Sequence, residues 1–292
     1  MTETQVEQVK LKFNRITTLP PLPRTATQLL AIIGDPEADI DQVVKILEQD
    51  PPLTARILGL ANSAYFGQVR EINTVREAII RVLGMNLVKS LSLSIAMAGT
   101  FDTSACREFN LADYWYTSLG TATLARMIAQ RAQLPDASIV DSVYLCGLVH
   151  KLGLLLLANL FPAELSAVFT EHRQNPDVEL PQLERRSIGV DHMAAGEWLL
   201  SRWHLPESVI SVIGFFDNSE YNGSYRFHLE SIRAASSWII ADMSGTPAPL
   251  SGSDGLLGVL GLSQLECSTI EDTFIRQREE LHSVSRLLDR RY

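Results

Sequence analysis

Cysteine is scarce in this chain: only Cys106, Cys146 and Cys267 occur in 292 residues, widely separated and odd in number. They fit neither a disulfide framework nor a zinc-type spacing, and suit a reducing cytosol. Basic runs are missing too. Lys and Arg total 25 against 34 Asp and Glu, a net charge of −9, which argues against nucleic acid or an anionic membrane as a default partner. The first twelve residues are polar and alternate in charge, unlike a signal peptide. No phosphate-cradling glycine loop, Ser-His-Asp arrangement, nucleophile elbow or paired Cys-x-x-Cys is present. The most apolar stretch, Ile139 to Phe161, holds Asp141, His150 and Lys151. Charges in mid-segment predict a buried helix pair or long core helix, not a membrane span.

Alternating strand patterns are absent beyond a few residues, and helical periodicity dominates. Asp39 is placed to cap a helix whose Ile40, Val43, Val44 and Leu47 share one face, with Gln42 at the capping-box position. Asp50-Pro51 opens a second helix, where proline's missing N–H costs nothing, and Leu53, Ile57, Leu60 and Ala61 form its buried stripe. Its end is expected near Ala61-Asn62-Ser63, with Gly67 in the following turn. Thr74 and Glu77 predict another capping box, with Gly84 as the stop, and a further helix is expected over Asn86–Ala98. Beyond Phe101–Phe109, a candidate boundary between two helical layers, helices are expected over Leu111–Gln133, Ser138–Leu160, Pro162–Arg173 and Gln182–Ser187. Four more follow, at His192–Trp203, Pro206–Phe216, Arg226–Met243 and Leu265–Arg290. A Pro/Gly/Ser-rich loop is expected over Gly245–Gly255.

Several separated motifs resemble one family. They are Leu19-Pro20-Pro21-Leu22-Pro23, Glu48-Gln49-Asp50-Pro51-Pro52-Leu53, and Leu60-Ala61-Asn62-Ser63-Ala64-Tyr65-Phe66-Gly67. Ala78-Ile79 with Leu83-Gly84, Gly147-Leu148-Val149-His150, Gly189-Val190-Asp191-His192 and Trp203-His204-Leu205-Pro206 complete the set. Their order and spacing are similar to the HDOD domain, the HD-related output domain of bacterial signalling proteins. The resemblance covers roughly Ile16 to Phe216, and more weakly reaches Gly245. It implies an all-α fold: an HD-domain-like helical bundle with an N-terminal helical layer. Residues 1–105 would form the N-terminal helical part, 106–245 the HD-like bundle and 246–292 a C-terminal loop and amphipathic helix, together one continuous globular unit.

The same resemblance implies where a divalent metal would sit in an HD hydrolase, on a histidine, a His-Asp pair and a later aspartate. Such a metal acidifies a bound water and neutralises phosphate. In this chain the His-Asp pair is His150-Lys151, and an ammonium has no lone pair and repels a cation. The earlier histidine aligns with Thr117, and the late aspartate with Asp242. Phe215-Phe216 stands where histidines often follow the Trp-x-Leu-Pro segment. Thr117, His150, Lys151 and Asp242 are therefore vestigial metal-site positions, while Glu184, His192, Phe215 and Phe216 are candidate cavity or ligand contacts. Lys151 has two open placements: paired with Asp242 in the old metal position, or turned to solvent. His150 is a residual ligand or a hydrogen-bonded core histidine, and His192 a ligand or a polar group at a helix start. Trp203, Phe215 and Phe216 are core or groove lining, or else a ligand cage, and Asn62-Ser63 with Tyr65-Phe66-Gly67 are turn-makers first and a partner-docking element second.

The expectation that follows is a cytoplasmic, non-catalytic bacterial signal-transduction module acting through protein–protein binding. It would use no cofactor, nucleic acid or membrane; a homodimer is open, with the C-terminal amphipathic helix either a contact surface or packed on the bundle. No receiver, kinase or cyclase segment accompanies it, so a stand-alone role is expected. Two alternatives remain: a metal-dependent phosphohydrolase of nucleotides or cyclic dinucleotides, and a nucleotide or metabolite sensor without turnover in which Lys151 contacts phosphate.

Overall fold

Side-chain caps set out the N-terminal layer. In the computed structural model, which describes residues 20–289 apart from 36, 68–69, 133, 135, 137, 247–248 and 253–259, no strand occurs among the described residues. Helix α1 (Arg24–Ile32) was not anticipated. It starts after Pro23 without a side-chain cap, so no local signal marks it. Asp39 caps α2 (Ile40–Glu48) by accepting the Gln42 amide at 2.7 Å, and Asp50 caps α3 (Pro51–Ala61) through Leu53 at 3.1 Å. Asn62 then ties off α3. Its Nδ2 donates to Leu58 O at 2.9 Å and Ile72 O at 2.8 Å, while Ile72 N donates back to Oδ1 at 2.8 Å. Gly67 closes the turn at φ 63°, a conformation that glycine adopts freely. Thr74 caps α4 (Val75–Ala78), but Glu77 reaches back to Asn73 N rather than to the cap residue. A π-helical turn, Ile79–Leu83, leads into α5 (Met85–Ala98), most of whose side chains are buried.

The bundle is centred on α6 (Leu111–Arg131), capped by Asn110, which accepts the Ala112 and Asp113 amides at 2.9 and 3.2 Å. The expected long helix is a pair, α7 (Ser138–Val149) and α8 (Leu152–Leu160), broken at His150-Lys151. The stretch Ser138–Leu160 is long and apolar enough to cross a membrane, yet 83% of its most apolar window is buried inside the fold. Then come α9 (Pro162–Gln174), α10 (Leu180–Ser187), α11 (His192–Arg202), α12 (Glu207–Gly214), α13 (Arg226–Met243) and α14 (Gln264–Asp289). Helix α6 packs against α7, α13 and α14, and α8 packs against α11. Both α6–α7 and α8–α11 contacts bring backbones together. A Cβ on Gly147 would lie 2.4 Å from Ala122 Cα, and one on Gly153 would lie 1.8 Å from His192 O. Cys267, Ile270, Phe274, Leu281, Val284 and Leu288 form the buried stripe of α14. The N-terminal dozen, Leu19, helix ends at Gln133 and Arg290, and part of the expected Gly245–Gly255 loop lie outside the described residues.

Candidate functional site

Where α7 gives way to α8, His150 is fully buried. Its Nδ1 lies 2.7 Å from Gly147 O; a carbonyl can only accept, so Nδ1 carries the proton. Nε2 therefore accepts from Ser236 Oγ on α13, at 3.1 Å. Burial first, and then the neighbouring Lys151 charge, push the imidazole down to about 3. The ring is neutral and both its nitrogens are committed within the protein. Phe216 stacks on it with ring centroids 6.2 Å apart.

Lys151 is partly buried, and burial lowers its amine to about 8 against the opposing charge of Glu184. The pairing with Asp242 is not formed. Asp242 Oδ2 accepts from Tyr116 Oη at 2.9 Å and Oδ1 from Arg278 Nη1 at 3.1 Å. The reason lies in α13 itself: Ser236 is its residue beside His150, and Asp242 stands six residues on, about 9 Å along the axis. There it meets α6 and α14, where Tyr116 stacks on His282 with ring centroids 3.6 Å apart. Nor is Lys151 simply turned to solvent, being only partly exposed, with Glu184 the carboxylate acting on its charge. Thr117 looks inward along its own helix. Its hydroxyl donates to Asp113 O at 2.8 Å and contacts Met243 Sδ at 3.4 Å.

Glu184, on α10, has no exposed surface. Its Oε2 accepts from both His192 N, at 2.8 Å, and His192 Nδ1, at 2.7 Å. The capping of α11 thus falls to Asp191, which accepts the Ala194 amide at 2.8 Å and pairs with Arg185 at 2.5 Å. Glu184 Oε1 and His192 Nε2 are left buried without a hydrogen-bond partner among the described residues. Phe215 and Phe216 diverge: Phe216 covers His150, whereas Phe215 is 40% exposed and stacks on Tyr221. Arg233 fixes that divergence by donating to the carbonyls of Phe215, Phe216 and Asn218 at 2.7, 2.7 and 2.8 Å. Trp203 is core, packed on Phe101.

The expected site positions fall into two groups. His150, Lys151, Glu184, His192 and Phe216 lie about the α7–α8 break, while Asp242 belongs to the seat of α14 and Thr117 meets Met243 at the end of α13. A divalent ion does not fit this arrangement. The free lone pair of His150 is taken by Ser236, a cationic amine follows it, and an aromatic ring covers it. Among the described residues no group of three or more His, Cys, Asp or Glu side chains is placed to hold a metal. Sequence reasoning missed Ser236, Tyr116, Arg233, Arg278 and His282, each of which acts across a long chain separation without a periodic signal.

Residues 19–219 match the family model of the HDOD domain. An uncharacterized curated protein of Treponema pallidum (strain Nichols) is 30% identical over 219 residues, 74% of this chain and 41% of that protein. The chain therefore spans about two-fifths of that relative's length. Among solved structures, an HDOD domain protein with unknown function from Geobacter sulfurreducens superposes with a TM-score of 0.77 at 23% identity, covering 97% of this chain and 98% of that one. A candidate signal transduction protein from Marinobacter aquaeolei VT8 gives 0.83 at 22%, over 98% of this chain and 65% of that one. A candidate phosphohydrolase from Shewanella amazonensis SB2B gives 0.75 at 21%, over 98% of both chains. These structural likenesses establish the all-α, HD-domain-like fold and carry no activity across.

Proposed function

This chain belongs to the HDOD family, and from that premise we propose that it is a non-catalytic signal-transduction module that works by binding a partner protein. The observation that carries the reading is the state of His150. Its proton-bearing nitrogen is spent on Gly147 O and its lone pair on Ser236, with Lys151 where a metal-binding carboxylate would follow. Lewis-acid hydrolysis needs open lone pairs converging on one ion. Here the lone pair of His150 is spent, and the Lys151 ammonium stands against the open oxygen of Glu184. The net charge of −9 favours a protein partner over a polyanion, and three buried thiols suit the cytoplasm.

Elemental analysis of the purified chain after dialysis against Mn²⁺, Fe²⁺ and Zn²⁺ tests the first half of the proposal. The expected result is no stoichiometric metal, together with no hydrolysis of nucleoside phosphates or cyclic dinucleotides above a His150→Ala control. Turnover that vanishes in His150→Ala, or one tightly held ion per chain, overturns it. Affinity capture from native lysate tests the second half: a reproducible protein partner is expected, and its absence counts against partner binding.

A further inference from the structure

A second polar site lies at the seam between the N-terminal layer and the bundle, well away from His150. It is a cleft of about 300 Å³ between the end of α1, the first turns of α5 and α7, and the start of α12. Asp141, on its wall, is nine residues before His150 in chain order, about 13 Å along the helix axis. The cleft is thus separate from the vestigial metal positions, and the argument for it does not depend on the proposed signalling role.

Buried polar groups form its floor. Lys89 is only 3% exposed, and its Nζ donates to Ile32 O at 3.1 Å and Asp35 O at 3.4 Å, which uses two of three N–H groups. Ser90, 4% exposed, lines the same cleft. Ser208, also buried, accepts from Ser142 at 3.0 Å and keeps its own proton to give. Lys89 and Ser208 thus each keep one proton to give, and a buried donor is ordinarily partnered.

Acceptors stand higher on the wall. Asp141 Oδ2 takes the Asn86 Nδ2 proton at 2.6 Å, which leaves Oδ1 of Asp141 and Oδ1 of Asn86 for a ligand. Apolar surface from Ile33, Leu145 and Pro206 fills the remaining lining. A flat heterocycle suits such walls, since its faces are apolar and its edge is polar; a sugar presents hydroxyls on every side. Charge narrows the class further. Asp35 and Asp141 outnumber Lys89, so a free phosphate would meet net repulsion.

We propose that this cleft binds a guanine-type nucleobase as its nucleoside, with Asp141 accepting from the N1–H and amino edge and the Lys89–Ser90 floor donating to O6 and N7. The assignment follows from donor and acceptor matching: lysine pairs with the O6/N7 acceptors of guanine, and a carboxylate takes the protons of a base's amino edge. Adenine has no acceptor at the O6 position and offers one donor fewer to Asp141. Its binding is weaker accordingly.

Isothermal titration of the full chain with guanosine, adenosine and inorganic phosphate tests the assignment. Guanosine is expected to bind saturably at one per chain, with adenosine and phosphate at least about tenfold weaker, a difference near 1.4 kcal/mol. Asp141→Asn is expected to weaken guanosine at least about tenfold, and Ser90→Leu, which fills the floor, to abolish binding with the circular dichroism spectrum unchanged. If one variant fails to fold, the other carries the comparison. Absence of guanosine binding up to millimolar concentration, equal binding of adenosine, or undiminished binding in a folded variant each overturns the proposal.

Discussion

His150 and His228 are both buried and neutral, and that state has a measurable consequence in acid. Burial pushes His150 down to about 3 and His228, which lies 3.2 Å from Ser142 Oγ, down to about 4. An unfolded histidine titrates near 6.5, so between that pH and the folded values the unfolded chain binds more protons. Stability is therefore fully present above about 6.5 and falls as pH drops toward 4 and then 3. By pH 5 the two residues together remove about 4 kcal/mol relative to pH 7. Guanidinium unfolding of the wild type and a His150→Asn/His228→Asn variant at both pH values reads this directly. The wild type should lose more stability than the variant by roughly that amount; parallel losses would refute the assignment. Lys151 beside it was legible in sequence, but the first cause of the neutral state of His150 is burial, which the packing of separate helices makes; Ser236, which meets its Nε2, lies 86 residues away. Of the two placements left open for Lys151, the pairing with Asp242 fails for a related reason. The chemistry of an ammonium beside a histidine was plain, but its charge answers to Glu184, while Asp242 is held by partners 126 and 36 residues distant.

Among the helices, several ends that match the sequence expectation have a local cause. Asp39, Asp50 and Asn110 each accept an amide two or three residues ahead, so the signal and its effect share one turn of chain. Helix α1 has no such cap, and the π-helical turn at Ile79–Leu83 carries no marker in the apolar pattern, whereas His150-Lys151 interrupts that pattern and left the helix pair open. What α14 does was hidden as well. Its amphipathic stripe was visible, but its anchoring to α6 and α13 by the Tyr116–His282 stack and the Arg278–Asp242 pair was not. Asp242 is 6% exposed and serves two donors, whereas Arg278 is 41% exposed, so water can replace the contacts of Arg278 but not those of Asp242. Asp242→Ala should therefore destabilise by about 2 kcal/mol and Arg278→Ala by about 1 kcal/mol or less. Hydrogen exchange should show faster amides in 264–289 for Asp242→Ala. Unchanged protection there would mean that the stripe alone seats the helix.

At the scale of the whole molecule, one apolar cluster among the described residues reaches from Ala26 in α1 to Leu288 in α14. The two layers and the C-terminal helix were readable as helical segments, and one continuous unit was expected from the family resemblance; the contacts that join the segments lie between them and leave no pattern within them. A continuous core predicts one cooperative transition. The three cysteines are placed to report on it: Cys106 in the connection before α6, Cys146 in α7 and Cys267 in α14, all buried. Burial pushes the Cys146 thiol up to about 12, so native protein exposes little thiolate to a labelling reagent. With increasing urea, all three should become reactive at one midpoint, coincident with the loss of far-ultraviolet ellipticity. Mass spectrometry after pulse labelling assigns each site. If Cys267 were labelled at a lower urea concentration than Cys146, α14 would be a separately melting element, and the shared core would not bind it to the fate of the bundle.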